Sequence, residues 1–222
     1  MKRVILAICN WFFKITGYLP QLFAFRTKVH YEDRSVQDRR IRGKAIVISN
    51  HNGLMDFAVL MFVFWRRTLR CATAELMYEK NIFVTAILHL VGCVRVDRNT
   101  HDFSFLGKMT KILERGGVVE IYPEARLPDR EGDVKPLPFK PSYVYLAMES
   151  GAPIIPVYNN GEAFSKKRTR VIIGKPIYID ELYNESVSEK ENIDNINQYV
   201  RNKIIELGKE LEKQEAEETA LL

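Results

Sequence analysis

Two side chains of this sequence have the types and spacing that proton transfer needs. His51 and Asp56 stand five residues apart in the run SNHNGLMD. An imidazole accepts a proton near neutral pH, and a carboxylate on its other nitrogen fixes the tautomer and stabilises the imidazolium. His51 follows AIVIS, which predicts a buried strand, and loops at strand ends are where α/β sheets present reactive groups. With His51 in such a loop and Asp56 in the first turns of a helix, the chain curls enough to bring the carboxylate to Nδ1. Alone the spacing is common and identifies nothing. A serine nucleophile would turn the pair into a hydrolase triad, but the chain holds no GxSxG elbow. The dyad is therefore expected to act as a general base on a hydroxyl of the substrate, which attacks an activated acyl carbon with no covalent enzyme intermediate.

The elements that must position this pair alternate short β-rich runs with longer helical patterns, the signature of an α/β sheet. AIVIS from Ala45 leads into NHNGLMDFAVLMFVFW, whose length and composition favour a helix. Leu69 to Thr73 predicts a strand, and Leu76 to Val91 a helix stopped at Gly92. CVRVD, VVEIY, IIPV and RVIIG predict four further strands. Asp102 to Arg115 predicts a helix closed by Gly116 and Gly117, and Ser142 is expected to cap a short one ending near Gly151. From Ser188 the chain predicts a helix with Ile193, Ile196, Val200, Ile204, Leu207 and Leu211 on one face. The 222 residues suit one domain with a real core, and an apolar fraction of 46% excludes wholesale disorder. The expected fold is a single α/β domain with a mixed, largely parallel sheet flanked by helices, plus an N-terminal membrane-embedded helical segment.

That N-terminal segment opens MKRVILAICNWFFKITGYLPQLFAFR. Its basic start and apolar run resemble a secretory signal, but no small-x-small site follows, and Val4 to Phe13 falls short of the ~20 residues a spanning helix needs. On a helical wheel Arg3, Ala7, Asn10 and Lys14 form a narrow polar stripe on an otherwise apolar cylinder, and Gly17 and Pro20 are expected to break it. The pattern predicts a monotopic anchor in one leaflet, peripheral to a cell membrane on its cytoplasmic face. The competing expectation is a helix packed on the protein's own core. Residues 1–28 are assigned to the anchor, 29–185 to the catalytic domain and 186–222 to a C-terminal helix and acidic tail.

Charge is unevenly spread. Residues 1–42 hold nine Lys or Arg against three acidic residues, within a net charge of +5. A basic front end suits anionic lipid, nucleic acid or phosphorylated small molecules. The run KKRTR from Lys166 lacks the interleaved aromatics of a nucleic-acid patch, so no nucleic-acid partner is expected, and an anionic membrane surface is. Arg66, Arg67 and Arg70 read as a solvated turn. Cys9, Cys71 and Cys93 have no CxxC or Cys/His spacing, and His30, His89 and His101 lack a setting like that of His51, so neither a disulfide framework nor a metal site is expected.

Three more segments give the dyad its meaning. GCVRVDRN, EIYPEARLP and GAPIIPV follow SNHNGLMD in the order and at the separations of the glycerol-phosphate and lysophosphatidic-acid acyltransferase superfamily, which the chain resembles from about Lys44 to Ile177. The resemblance implies His51 as catalytic base and Asp56 as its orienting carboxylate. It implies that Arg98 binds the acceptor's phosphate, with Arg95 secondary. The third motif, usually FPEGTR, here reads YPEARL: Glu124 matches, Ala125 replaces glycine, and Arg126 stands one place early. Arg126 is then expected to hold phosphate and Glu124 to position Arg126 or an acceptor hydroxyl. The implied donor is a fatty acyl thioester of coenzyme A or acyl carrier protein, with no further cofactor. The implied acceptor is 1-acylglycerol 3-phosphate, giving phosphatidic acid. Another lysophospholipid, a lyso-aminolipid or a catalytically silent lipid-binding role are the alternatives.

Overall fold

The computed structural model describes residues 2–97, 104–128 and 136–220. Seven strands form one sheet: β1 (Lys28–Tyr31), β2 (Ala45–Ser49), β3 (Leu69–Ala74), β4 (Val94–Val96), β5 (Val118–Ile121), β6 (Ile154–Asn159) and β7 (Arg170–Ile173). Their spatial order is β1-β7-β6-β2-β5-β3-β4. The five strands from β6 to β4 are parallel; β7 pairs antiparallel with β6, and β1 pairs parallel with β7. The expected mixed, largely parallel α/β sheet is present, with β1 as an extra edge strand that was not among those expected.

The strand β2 lies at the centre and is buried on both faces, as parallel strands between helical layers must be. Alternation of side chains sends Ile46 and Ile48 to one face and Ala45 and Val47 to the other. The first face is covered by α6 (Ser104–Leu113), α7 (Ser142–Ser150) and the front of α8 (Glu189–Ala220). The second is covered by α3 (Asp56–Val63) with Phe25. All six apolar positions expected on one face of α8 are buried, and its last turns reach the sheet edge, where Arg170 pairs with Glu215 at 3.1 Å and Lys28 with Glu218 at 2.6 Å. Truncating a fully buried member of that stripe such as Ile204 to alanine would cost about 2–5 kcal/mol.

Several local expectations need correction. The helix read across NHNGLMDFAVLMFVFW is only the eight residues of α3, because the residues before Asp56 form a loop whose amides turn toward its carboxylate. Leu76 to Val91 is two helices, α4 (Glu75–Glu79) and α5 (Ile82–Val91): Asn81 interrupts them by capping the second, its side chain accepting from Phe83 N at 2.7 Å. Ser142 is the first helical residue of α7, with Pro141 at the cap position. Of the helix expected from Asp102, the described part begins at Ser104, and Asp102 lies outside the described residues, as does His101. The arginines after α3 are not simply solvated. Arg67 donates to Ile41 O, Gly43 O and Gly116 O, and Arg70 to Gly92 O.

At the N-terminus α1 (Lys2–Thr16) and α2 (Tyr18–Ala24) meet at Gly17, where a Cβ would stand 2.9 Å from the ring of Phe62 on α3. Pro20 falls in the first turn of α2, where its missing N–H is no loss. The polar stripe faces the protein: Asn10 and Lys14 are buried, while Val4, Ile8, Phe12, Ile15, Leu19 and Phe23 are exposed. No helix among the described residues is long and apolar enough to cross a membrane.

Candidate active site

His51 emerges from the C-terminal end of β2, beside the ends of β5 and β6. Its Nδ1 lies 2.9 Å from Asp56 Oδ2. The same oxygen accepts from Asn52 N at 2.7 Å and Gly53 N at 2.9 Å, and Oδ1 accepts from Asn159 Nδ2 at 3.0 Å. Asp56 is the first residue of α3, where the helix dipole favours negative charge. An acceptor-only carboxylate on Nδ1 requires the proton there and leaves the lone pair on Nε2. Nε2 makes no hydrogen bond among the described residues. The histidine side chain is 21% exposed and the aspartate 2%, so the imidazole reaches solvent while the carboxylate does not.

The loop is held from both neighbouring strands. From β5, Glu124 Oε1 accepts from His51 N at 2.7 Å while Oε2 accepts from Leu137 N at 2.8 Å. Burial raises the pKa of Glu124, with the two amide bonds opposing that rise. From β6, Asn159 N donates to Asn50 Oδ1 at 2.8 Å, and Asn159 O accepts from Asn50 Nδ2 at 2.9 Å and Asn52 Nδ2 at 2.7 Å. Tyr122 stacks on the imidazole with centroids 4.6 Å apart. Its hydroxyl donates to Glu120, a wholly buried carboxyl whose pKa burial pushes up to about 8.

The structure thus brings His51, Asp56 and Glu124 together. Both oxygens of Glu124 are used on backbone amides, which makes it a brace between the His51 loop and Leu137. Arg126 is exposed two residues on, with Nη1 donating to Leu127 O at 3.1 Å. Ala125 between them has φ 59, a left-handed conformation that glycine adopts without strain. The motif's usual glycine is gone, and its backbone shape is kept. Arg98 lies outside the described residues. Arg95 pairs with Glu79 at 3.3 Å and lies over the ring of Tyr78. Asn159, Tyr122 and Glu120 have no signature in the sequence read alone; the paired asparagines after IIPVY are the one hint, since asparagine at a strand end can bond across to a neighbouring loop. Among the described residues no group of three or more His, Cys, Asp or Glu could hold a metal ion.

A protein family described as Acyltransferase matches residues 26–160. The 1-acyl-sn-glycerol-3-phosphate acyltransferase beta of Homo sapiens is 28% identical over 161 residues, 72% of this chain and 54% of that protein. A 1-acyl-sn-glycerol-3-phosphate acyltransferase of Limnanthes alba is 28% identical over 164 residues, 71% of this chain and 56% of that protein. The chain therefore spans little more than half the length of these relatives. The crystal structure of the 1-acyl-sn-glycerophosphate (LPA) acyltransferase PlsC from Thermotoga maritima matches in fold with a TM-score of 0.64 at 20% identity, covering 95% of this chain and 81% of that one.

Proposed function

The chain belongs to the acyltransferase family, and from that membership we propose that it transfers a fatty acyl group from a thioester to the free hydroxyl of 1-acylglycerol 3-phosphate, forming phosphatidic acid. The observation that carries the reading is the His51 dyad at the end of the central strand: Nδ1 is tied to a buried carboxylate, and Nε2 makes no hydrogen bond among the described residues. In the proposed mechanism Nε2 takes the acceptor's hydroxyl proton as the oxygen attacks the thioester carbonyl. The tetrahedral intermediate collapses with loss of the thiolate, to which the imidazolium returns the proton. Arg98 and Arg126 hold the acceptor's phosphate, and Glu124 keeps His51 at its post. The donor is coenzyme A or acyl carrier protein bearing the acyl chain.

Residues 29–185 act as the catalytic domain and 186–222 as the C-terminal helix and acidic tail closing one sheet edge. Residues 1–28 act as a monotopic anchor on the cytoplasmic face of a cell membrane. The anchor reading is supported by the orientation of α1, whose polar stripe turns inward and whose apolar side chains turn out. Transfer to another lysophospholipid or a lyso-aminolipid is the second reading, favoured by YPEARL in place of the usual motif.

The test is purified protein assayed with a panel of lysolipids and both thioester types, beside His51→Ala. Phosphatidic acid should be the main product and should vanish in the variant while the melting curve stays put. A preference for acceptors without a phosphate monoester would remove the roles given to Arg98 and Arg126; retained transfer in His51→Ala would remove the base.

A further inference from the structure

A cavity lies at the other end of the sheet from the dyad. It has a volume of about 670 Å³ and opens beside the edge strand β4, under α1 and against α6. Gly117, which borders it, precedes β5, whereas Tyr122 follows that strand. At a strand rise of ~3.3 Å per residue the two ends are roughly 16 Å apart. The cavity shares no lining residue with the His51 loop.

Its walls differ in kind. One is cationic: Lys108, Lys111 and Arg115 follow one another at helical spacing along and just past α6, all exposed. Among the described residues none of the three has a hydrogen-bond or ion-pair partner, and none that lines the cavity is acidic. Two further arginines that border it are already engaged, Arg70 with Gly92 O and Arg95 with Glu79. The opposite wall is apolar, formed by Leu6 and Ala7 of α1. It continues outward over the exposed Val4, Ile5 and Ile8 of that helix, and over Ile82, Phe83 and Ile87 of α5, which packs against α1.

Three unpartnered cations facing an apolar wall suit a ligand that joins a phosphate ester to hydrocarbon. We propose that this cavity is a second binding site, separate from the acceptor site, for an anionic diacyl phospholipid: the phosphate lies against Lys108, Lys111 and Arg115, and the acyl chains run along α1 and α5. A zwitterionic headgroup would place its own cation among three others, so the site should select net negative lipids. The phosphates of coenzyme A share the headgroup's chemistry but have no use for the apolar wall.

Titrating the full chain with a short-chain phosphatidylglycerol below its micelle concentration tests this, with the matching phosphatidylcholine, coenzyme A and inorganic phosphate as further arms. Phosphatidylglycerol should bind saturably at one site, at least about tenfold more tightly than the other three. Lys108→Glu/Lys111→Glu should weaken it about twenty-five-fold or more, at roughly fivefold per cation. The same charge change at Lys166→Glu/Lys167→Glu, and Arg126→Ala near the dyad, should leave it unaltered. Turnover of soluble short-chain substrates by Lys108→Glu/Lys111→Glu reports that this variant is folded. Equal binding of phosphatidylcholine, tighter binding of coenzyme A, or an equal loss in the Lys166/Lys167 variant would overturn the proposal. Because binding is the readout, failure here is distinct from failure of the acyl-transfer reading.

Discussion

The two ends of α3 are held by opposite charges that come from very different places. At the N-terminal end the buried Asp56 carboxylate gathers His51 Nδ1, two backbone amides and the Asn159 side chain. At the C-terminal end Lys14 donates to Trp65 O at 2.8 Å and Arg67 O at 2.7 Å, just past the helix, and Arg39 donates to Val63 O and Phe62 O. Each places a charge where the dipole of a short helix favours it, and Arg39 also satisfies two of the helix's terminal carbonyls. The carboxylate end is built from the loop after β2 and the end of β6, both fixed by the sheet. The ammonium end depends on α1, a helix that meets the domain through its polar stripe and turns its apolar side outward. One end of α3 holds the His51 imidazole in place; the other holds the protein's apolar face in place.

Substitutions at the two ends should therefore separate rate from attachment. The largest effect is expected for His51→Ala, where loss of the general base should lower kcat by about 10²–10⁴-fold. Its melting temperature should scarcely move, because the ring is partly exposed. Asp56→Asn should lower kcat by a comparable factor and also cost about 1–3 kcal/mol in denaturant unfolding, since an amide NH₂ would face groups that are themselves donors. If that variant kept its rate, the carboxylate would not be orienting the base. At the far end Lys14→Ala strands two carbonyls and should cost about 1–3 kcal/mol. Amide hydrogen exchange in α1 should quicken while kcat on soluble short-chain substrates changes by no more than a few-fold; a rate loss as large as that of Asp56→Asn would erase the distinction between the ends.

Beneath the dyad, Glu120 provides a pH test. Its pKa is raised to about 8 from 4.5, so the folded state favours the protonated carboxyl. Its contribution to stability is complete below pH 4.5 and is lost as pH rises to about 8. The wild-type minus Glu120→Gln difference in unfolding free energy should therefore fall across that window and level off above it. A difference that does not vary with pH would mean that Glu120 titrates normally. The smallest effect is at Ala125: glycine there relieves a left-handed strain of about 1–2 kcal/mol, offset in part by the greater freedom of glycine in the unfolded chain. Urea unfolding of Ala125→Gly should show a gain of about 0.5–1 kcal/mol, whereas a loss would mean that the methyl group is packed.

The contrast between the two ends also explains how much the sequence revealed. His51 and Asp56 were legible because their bond is local: a strand, a loop and a helix start bring them together within six residues. The sheet was legible because AIVIS, VVEIY and IIPV are short β-rich runs, apolar but for Ser49 and Glu120, of the kind that parallel strands between two helical layers need. Asn159 and Tyr122 were not, since their meaning depends on β6 and β5 lying on either side of β2. The brief strand β1 was hidden because KVHY forms a strand only through its pairing with β7. The stripe on α1 was visible, but which side of it faces the protein was not. The buried ammonium of Lys14, its pKa lowered to about 8 by desolvation, would ordinarily be placed in solvent.

The central claim, that His51 activates the acceptor and no acyl group rests on the enzyme, is tested most directly by intact-protein mass after rapid mixing with acyl thioester. The account predicts unmodified protein in the absence of lysolipid, and phosphatidic acid with still unmodified protein once lysolipid is added. An acyl adduct that forms at the turnover rate, discharges when lysolipid is supplied and is absent in His51→Ala would contradict it.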